Sequence, residues 1–289
     1  MTDLIKKTQK KPLKSKTPKV YKNKKLNNAN FGTYNLNDYQ VFLLMISKIG
    51  GVDEVGKYLQ PDGLQREHTL TAKEFSAAFG IDLTGAYKVL QKAGQKMANT
   101  AIRLEKPELF EIWDIPVCVS KYNYREGSLT VKFTEDIMPY LAQVKKKFVL
   151  YNLKEVSNFG SLHTTRLYEL IQEFKDTGVV IKSVEQLRDV FAVGDKYSNY
   201  KDFKKYTFNH AVEEINSQYE INLTFNEIKE GRKVVAIEFT FKPTFTIKGI
   251  NPKTGKAHNI YIKPKLKQKP KEQEQPETEA HPDQQQLDF

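Results

Sequence analysis

The sequence predicts an α+β fold assembled from two copies of one unit, and three observations predict it. Thr71 precedes Glu74 by three residues and Ser183 precedes Gln186 by three. Each pair fits a capping box, in which a hydroxyl and the side chain at the third helical position satisfy orphan amides at a helix start. Apolar residues then follow with matched spacing, Phe75 and Phe79 after Thr71, Leu187 and Phe191 after Ser183. In both places the short helix so begun leads through a turn into a longer amphipathic helix and then into strand-like segments. That order describes a duplicated winged helix-turn-helix, a scaffold that points towards DNA.

Taken in order, residues 1–30 are Lys-rich and nearly devoid of large apolar side chains. Such a segment cannot bury enough surface to offset its ordering entropy, so it reads as a disordered basic arm. A phosphate-binding arm and a solubilising tail both account for it. Tyr39, Phe42, Leu43, Ile46 and Ile49 are spaced for an amphipathic helix, broken by Gly50-Gly51. Thr71 starts the short helix, Gly80 ends it, and the next helix carries Tyr87, Leu90, Ala93 and Met97 on one face. Ala101–Leu104, Ile112–Val119 and Leu129–Phe133 read as strands, the last two flanking a wing hairpin that turns at Glu126-Gly127. Ile137–Phe148 reads as a short helix into the second copy.

The second copy opens with a helix over 162–175, stopped before Gly178, and a short strand at Val179-Val180-Ile181. The Ser183–Phe191 helix and a loop through Gly194 and Asn199 lead to a long helix over 201–217. Its apolar stripe is Phe203, Thr207, Phe208, Ala211, Val212 and Ile215. Ile221–Phe225 and Val234–Phe241 flank a basic hairpin tip at Lys229–Lys233. The domains expected are therefore an arm at 1–30, a first winged-helix domain at 31–150, a second at 151–243, and a hairpin with a disordered charged tail at 244–289.

Bulk properties narrow the function classes. Lys and Arg number 46 against 35 Asp and Glu, a formal charge of +11, which favours polyanionic partners. Cys118 is the only cysteine, so a reducing compartment is expected and no intrachain disulfide can form. Lacking an apolar run of membrane-span length and a signal-peptide core, the chain reads as soluble and cytoplasmic. The five histidines offer no pair at metal-ligand spacing and no His-x-His, so neither a metal nor a nicking activity is expected. Gly249–Ala257 superficially resembles a phosphate loop, but five residues instead of four separate its glycines and Ala257 replaces the Mg²⁺-ligating hydroxyl. A hairpin turn on Asn251-Pro252 and Thr254-Gly255 suits it better. Trp113 and Cys118 suit strand cores better than catalysis, and no cofactor is expected.

The candidate site lies on the long helix of the second copy, whose polar face holds Lys201, Lys204, Lys205, Tyr206, Asn209 and His210. A recognition helix enters the major groove by its N-terminal half, where Lys reads guanine and Asn pairs with adenine. Glu213 and Glu214 lie further along, where a docked helix would be leaving the groove. Arg232 and Lys233 add a cationic wing tip. A solvated helix face is the alternative. The first copy is poorer, with Lys88 and Lys92 on the matching face and Gly85 and Gly94 inside the helix, so backbone phosphate or a protein partner is the expected contact. Its wing hairpin reads as the longer of the two.

Tyr151–Lys154, Arg166-Leu167-Tyr168-Glu169-Leu170, Phe203-Lys204-Lys205 with Ala211–Asn216, and Gly231–Val234 together resemble the plasmid replication initiator (Rep) family. The resemblance spans about 36–242 and implies two winged-helix domains without catalytic activity. It further implies binding to directly repeated origin sequences (iterons) and recruitment of a host initiator and replicative helicase. The second domain would read bases, while the first makes secondary contacts and forms the interface of an autorepressing dimer in equilibrium with monomers. A transcription regulator with no replication role is the competing reading. Finally, Gln284, Leu287 and Phe289 fit Q-x-x-L-x-F, which resembles the peptides that dock bacterial replication proteins on the sliding clamp.

Overall fold

In the computed structural model the described residues are 18–49, 63–104, 114–141, 148–243, 246–250 and 257–261. The two copies are built on one plan. In the first, α2 (Leu36–Ile49) is followed by β2 (Glu67–Thr71), α3 (Ala72–Phe79), α4 (Leu83–Asn99), the short pair β3 (Ala101–Ile102) and β4 (Ile115–Pro116), and the wing strands β5 (Cys118–Asn123) and β6 (Ser128–Phe133). In the second, α6 (Leu162–Glu173) is followed by β8 (Val179–Ser183), α7 (Val184–Val190), a long helix and the wing strands β9 (Thr224–Glu230) and β10 (Lys233–Thr240). The sheets have the same antiparallel topology, β2-β6-β5 and β8-β10-β9. Even the register corresponds, since each capping hydroxyl residue ends its strand, Thr71 opposite Ser128 and Ser183 opposite Ala236.

Both capping boxes form as the spacing predicts. Glu74 N donates to Thr71 Oγ1 at 3.2 Å while Thr71 N donates to Glu74 Oε2 at 2.8 Å. Gln186 N donates to Ser183 Oγ at 3.0 Å and Ser183 N to Gln186 Oε1 at 3.0 Å. Gly80, left-handed at φ 68°, closes α3 without the Cβ penalty other residues would meet. Gly94 answers to packing, because a Cβ there would lie 2.5 Å from Leu129 Cδ1. The glycine lets α4 settle against β6, offsetting its cost in helix propensity.

Several expectations are corrected. The disordered arm does not extend to residue 30. β1 (Lys19–Asn23) pairs antiparallel with β7 (Phe148–Asn152), and α1 (Lys24–Asn27) follows it. Val20, Leu26 and Ala29 supply enough apolar burial to order the segment, and Lys22 is wholly buried because it meets a carboxylate. Residues 1–17 lie outside the described residues. The helix expected over 137–148 is α5 (Met138–Leu141), with β7 beginning at Phe148. β2 went unanticipated, its Glu67 and His68 masking the strand. The strand expected over 112–119 divides into β4 and β5, and that over 221–225 starts only at Thr224. Tyr87 is exposed, its place in the buried stripe taken by Ala86. Nor is the first wing the longer: its strands have 6 residues each, against 7 and 8 in the second. Beyond residue 243, β11 (Thr246–Ile250) and β12 (Ala257–Tyr261) pair as the expected hairpin, and its turn lies outside the described residues.

The two copies meet across a buried polar cluster. Lys22 Nζ lies 2.6 Å from Glu169 Oε1 and donates to Tyr39 Oη at 2.8 Å. Arg166 NH1 lies 3.0 Å from Glu169 Oε2 and also donates to Tyr39 Oη at 2.8 Å. Tyr39 and Tyr151 both donate to the same carboxylate. The rest of the guanidinium reaches Asn27 O and Ala29 O, each at 2.8 Å, and Val190 O at 3.1 Å. One arginine thus touches the N-terminal segment, α2, α6 and the end of α7, and fixes how the first copy sits on the second. The Arg166-Leu167-Tyr168-Glu169 motif is therefore a junction within the fold.

Candidate nucleic-acid interface

The long helix of the second copy is continuous but irregular. α8 (Tyr200–Lys204) passes through a π turn at Lys205–Asn209 into α9 (His210–Gln218). The wider turn lets Phe203, Thr207, Phe208, Ala211 and Ile215 all face the core, where they are buried. Single π turns inside helices recur at functional sites. Here His163 on α6 takes up a carbonyl of that turn: its Nδ1–H donates to Tyr206 O at 3.2 Å. Burial depresses the His163 pKa, against the opposing pull of the Tyr206 hydrogen bond, with His210 and Lys196 adding to the depression.

On the outer face Lys201, Lys205 and His210 are exposed, Tyr206 is 48% exposed and Asn209 is half-buried. Lys205 Nζ lies 5.0 Å from the centre of the Tyr206 ring, and Tyr197 stacks on that ring at 5.3 Å. Lys204 is differently placed. Its ammonium lies 2.8 Å from Glu227 Oε1 and 5.1 Å from the Phe225 ring, so it ties the helix to β9. Tyr200 Oη donates to the same Glu227 oxygen at 2.9 Å. The Lys204 hydrogen bond, then that of Tyr200, holds the Glu227 carboxyl below its usual pKa. Glu214 is not a solvated residue at the exit of a groove. Its Oε1 accepts from Gly160 N at 2.6 Å and its Oε2 from Thr164 Oγ1, anchoring α9 to the start of α6. Glu213 remains exposed.

Arg232 and Lys233 are exposed at the tip of the second wing, with Gly231 at φ 60° making the turn. Lys88 and Lys92 are exposed on α4 beside Gln91, which donates to Tyr124 Oη at 3.1 Å. That first wing tip carries a feature the sequence reading passed over, Tyr124 at 73% exposure next to Arg125. An aromatic-basic dipeptide beside the Glu126-Gly127 turn was the signal available. Gln284, Leu287 and Phe289 lie outside the described residues. Among the described residues no group of three or more His, Cys, Asp or Glu could hold a metal, and no helix is long and apolar enough to cross a membrane.

Two family models match this chain, "Initiator Replication protein, WH1" over residues 19–172 and "Initiator Rep protein, WH2" over 183–241. The chain belongs to the initiator Rep protein family. The first Rep model begins at β1 and ends within α6, so residues 19–30 of the segment read as an arm belong to the first winged-helix region. A replication initiation protein of Escherichia coli is 23% identical over 184 residues, which are 62% of this chain and 57% of the relative. The PI protein of Escherichia coli is 26% identical over 212 residues, 61% of this chain and 69% of that protein. Among solved structures, a Pi initiator protein in complex with iteron DNA superposes with a TM-score of 0.60 at 26% identity, covering 78% of this chain and 97% of that one. The Rep family is one of replication initiators, and its tandem winged helices are those described above.

Proposed function

We propose that this Rep protein is a plasmid replication initiator that binds directly repeated double-stranded origin DNA in a sequence-specific way and hydrolyses nothing itself. The observation that carries this reading is the divergence of two otherwise matched copies. They share caps, sheet order and register, yet the second presents the denser cationic surface. Lys201, Lys205 and His210 are exposed on its helix and two adjacent cations, Arg232 and Lys233, at its wing tip, against Lys88, Lys92 and Arg125 in the first. Base reading falls to Asn209, Lys201, Lys205 and His210, with Tyr206 beside them, and phosphate contact to Arg232 and Lys233. Lys204 acts through Glu227 by holding the wing against the helix. Lys88 and Lys92 supply secondary contacts from the first copy. Support also comes from the Pi initiator, a structural neighbour over 97% of its length that was solved on iteron DNA.

The division of labour follows the family reading. The second domain recognises DNA, and the first forms the dimer of an autorepressor in equilibrium with initiating monomers. Host initiator and replicative helicase are the recruited partners. The Q-x-x-L-x-F segment ending at Phe289 docks the sliding clamp, and the protein resides with plasmid DNA in the cytoplasm. A plasmid carrying only the repeats that footprinting identifies beside the gene should replicate when this chain is supplied in trans. Binding to those repeats without replication would favour a transcription regulator. Deleting Leu287–Phe289 should abolish clamp capture and leave repeat affinity unchanged; undiminished capture would refute the docking role.

A further inference from the structure

The loop between α7 and α8 is a constructed element. Ala192, Gly194 and Tyr197 all adopt left-handed backbone, at φ 50°, 54° and 55°. Two of these carry side chains, for which that conformation is unfavourable and persists only where the surroundings hold it. At Gly194 and Tyr197 the holding group is Arg188 on α7. Its NH1 donates to Tyr197 O at 2.9 Å, and its NH2 donates to Gly194 O and to Lys196 O, each at 2.7 Å. The same guanidinium lies 5.3 Å from the ring of Phe203, which is buried on α8. One planar fork therefore gathers three carbonyls of the turn and registers them against the helix that follows.

This grip reaches the candidate DNA face through Tyr197. Its ring stacks on Tyr206 at 5.3 Å with an interplanar angle of 24°. Tyr206, in turn, is the side chain over which Lys205 lies and whose carbonyl His163 engages within the π turn. Carbonyls on an exposed loop could be hydrated by water at little cost, so bulk stability is a poor reason for committing three of them to one arginine. What the fork adds is geometry: five donors in a rigid plane, which the single flexible ammonium of lysine does not reproduce.

We propose that Arg188 is a positioning residue for DNA recognition, holding the 194–197 turn so that Tyr197 fixes Tyr206 and Lys205 on the reading face of the long helix. It does not itself touch DNA. This inference rests on the DNA-binding function proposed above and adds to it the device that sets the angle of the reading side chains.

The test compares full-length wild type, Arg188→Lys, Arg188→Ala and Tyr197→Ala. Binding is measured to the duplex that the wild type enriches from a randomised pool and to a shuffled duplex of equal length. Thermal melting and the salt dependence of binding are recorded alongside. Arg188→Lys and Tyr197→Ala should each lose about tenfold or more on the enriched duplex and less than twofold on the shuffled one, with melting temperature and salt slope close to wild type. Tyr197→Ala leaves the arginine and its backbone acceptors intact, so it tests the same route should Arg188→Ala fold poorly. Unchanged discrimination in folded Arg188→Lys and Tyr197→Ala would overturn the positioning role, as would equal losses on both duplexes with a fallen melting temperature. If the wild type enriches no sequence at all, DNA recognition itself fails and the positioning role fails with it.

Discussion

Lys22 and Glu169 form an ion pair with Nζ and Oε1 2.6 Å apart and both side chains wholly buried. The pair joins a strand near the chain's start to the helix that leads into the second winged helix, so the seam between the copies is electrostatic as well as apolar. A buried pair gives little net stability over an apolar replacement, but removing one partner strands the other. Glu169→Ala would leave Arg166 an uncompensated buried cation and strip Lys22 of its carboxylate partner. It should destabilise the protein by about 3–5 kcal/mol in denaturant unfolding. Lys22→Met should cost less, because Arg166, Tyr39 and Tyr151 still satisfy the carboxylate.

The same lysine makes stability depend on pH. Burial lowers the Lys22 pKa to about 7, with Glu169 pulling the other way and Arg166 reinforcing the shift. Glu173 and Tyr39 also face it, and Tyr151 shares the Glu169 carboxylate. A lysine in the unfolded chain holds its proton to about pH 10.4, so above pH 7 the unfolded state binds more protons than the folded one. This contribution to stability should therefore rise with pH between about 7 and about 10.4, and level off below 7, where the amine is protonated in both states. Chemical denaturation at several pH values checks this. Lys22→Met should flatten that slope, and an unchanged slope would assign it elsewhere.

The matched helix caps should respond alike. Thr71→Ala and Ser183→Ala each remove a hydroxyl that accepts from the third helical amide. Each should cost about 1 kcal/mol, additively in the double variant, because the sites share no partner. Thermal or denaturant melts give the comparison directly.

Residues assigned to bases and to phosphates should separate by salt dependence. Asn209→Ala should weaken binding to the cognate repeat by about 1–3 kcal/mol and relax discrimination at one base pair, with the salt slope unchanged. Arg232→Ala or Lys233→Ala should weaken cognate and shuffled duplexes alike and lower the slope by about one each. Lys204→Ala should act differently again, loosening the wing by removing its tie to the helix ammonium and leaving Glu227 only Tyr200 and Lys229. Titrations at two or three salt concentrations distinguish the three behaviours.

Much of the scaffold could be read from the chain because its signals are local. Thr71 with Glu74, and Ser183 with Gln186, carry a helix start within four residues, and the aromatic spacing behind them carries the buried face. Lys22 was illegible for the opposite reason. In sequence it is one of many lysines in a polar stretch, and only pairing of β1 with β7 brings it to Glu169. β2 was hidden likewise, since an edge strand exposing Glu67 needs β6 to define it. At the interface, the exposure of Lys201, Lys205, Tyr206 and His210 followed from helical periodicity. The engagement of Lys204 with Glu227 did not, because it depends on where β9 runs. Nothing in the sequence around Arg188 marks it, because its three acceptors are carbonyls of a turn whose shape is set only in the fold.

The most direct test of sequence-specific recognition is the affinity of the full-length protein for its footprinted repeat against a shuffled duplex of the same composition, measured at near-physiological salt. Specific recognition predicts a preference of at least about 10³-fold. Equal affinity for the two duplexes would contradict it, and the basic face would then be a charged surface that attracts nucleic acid without reading it.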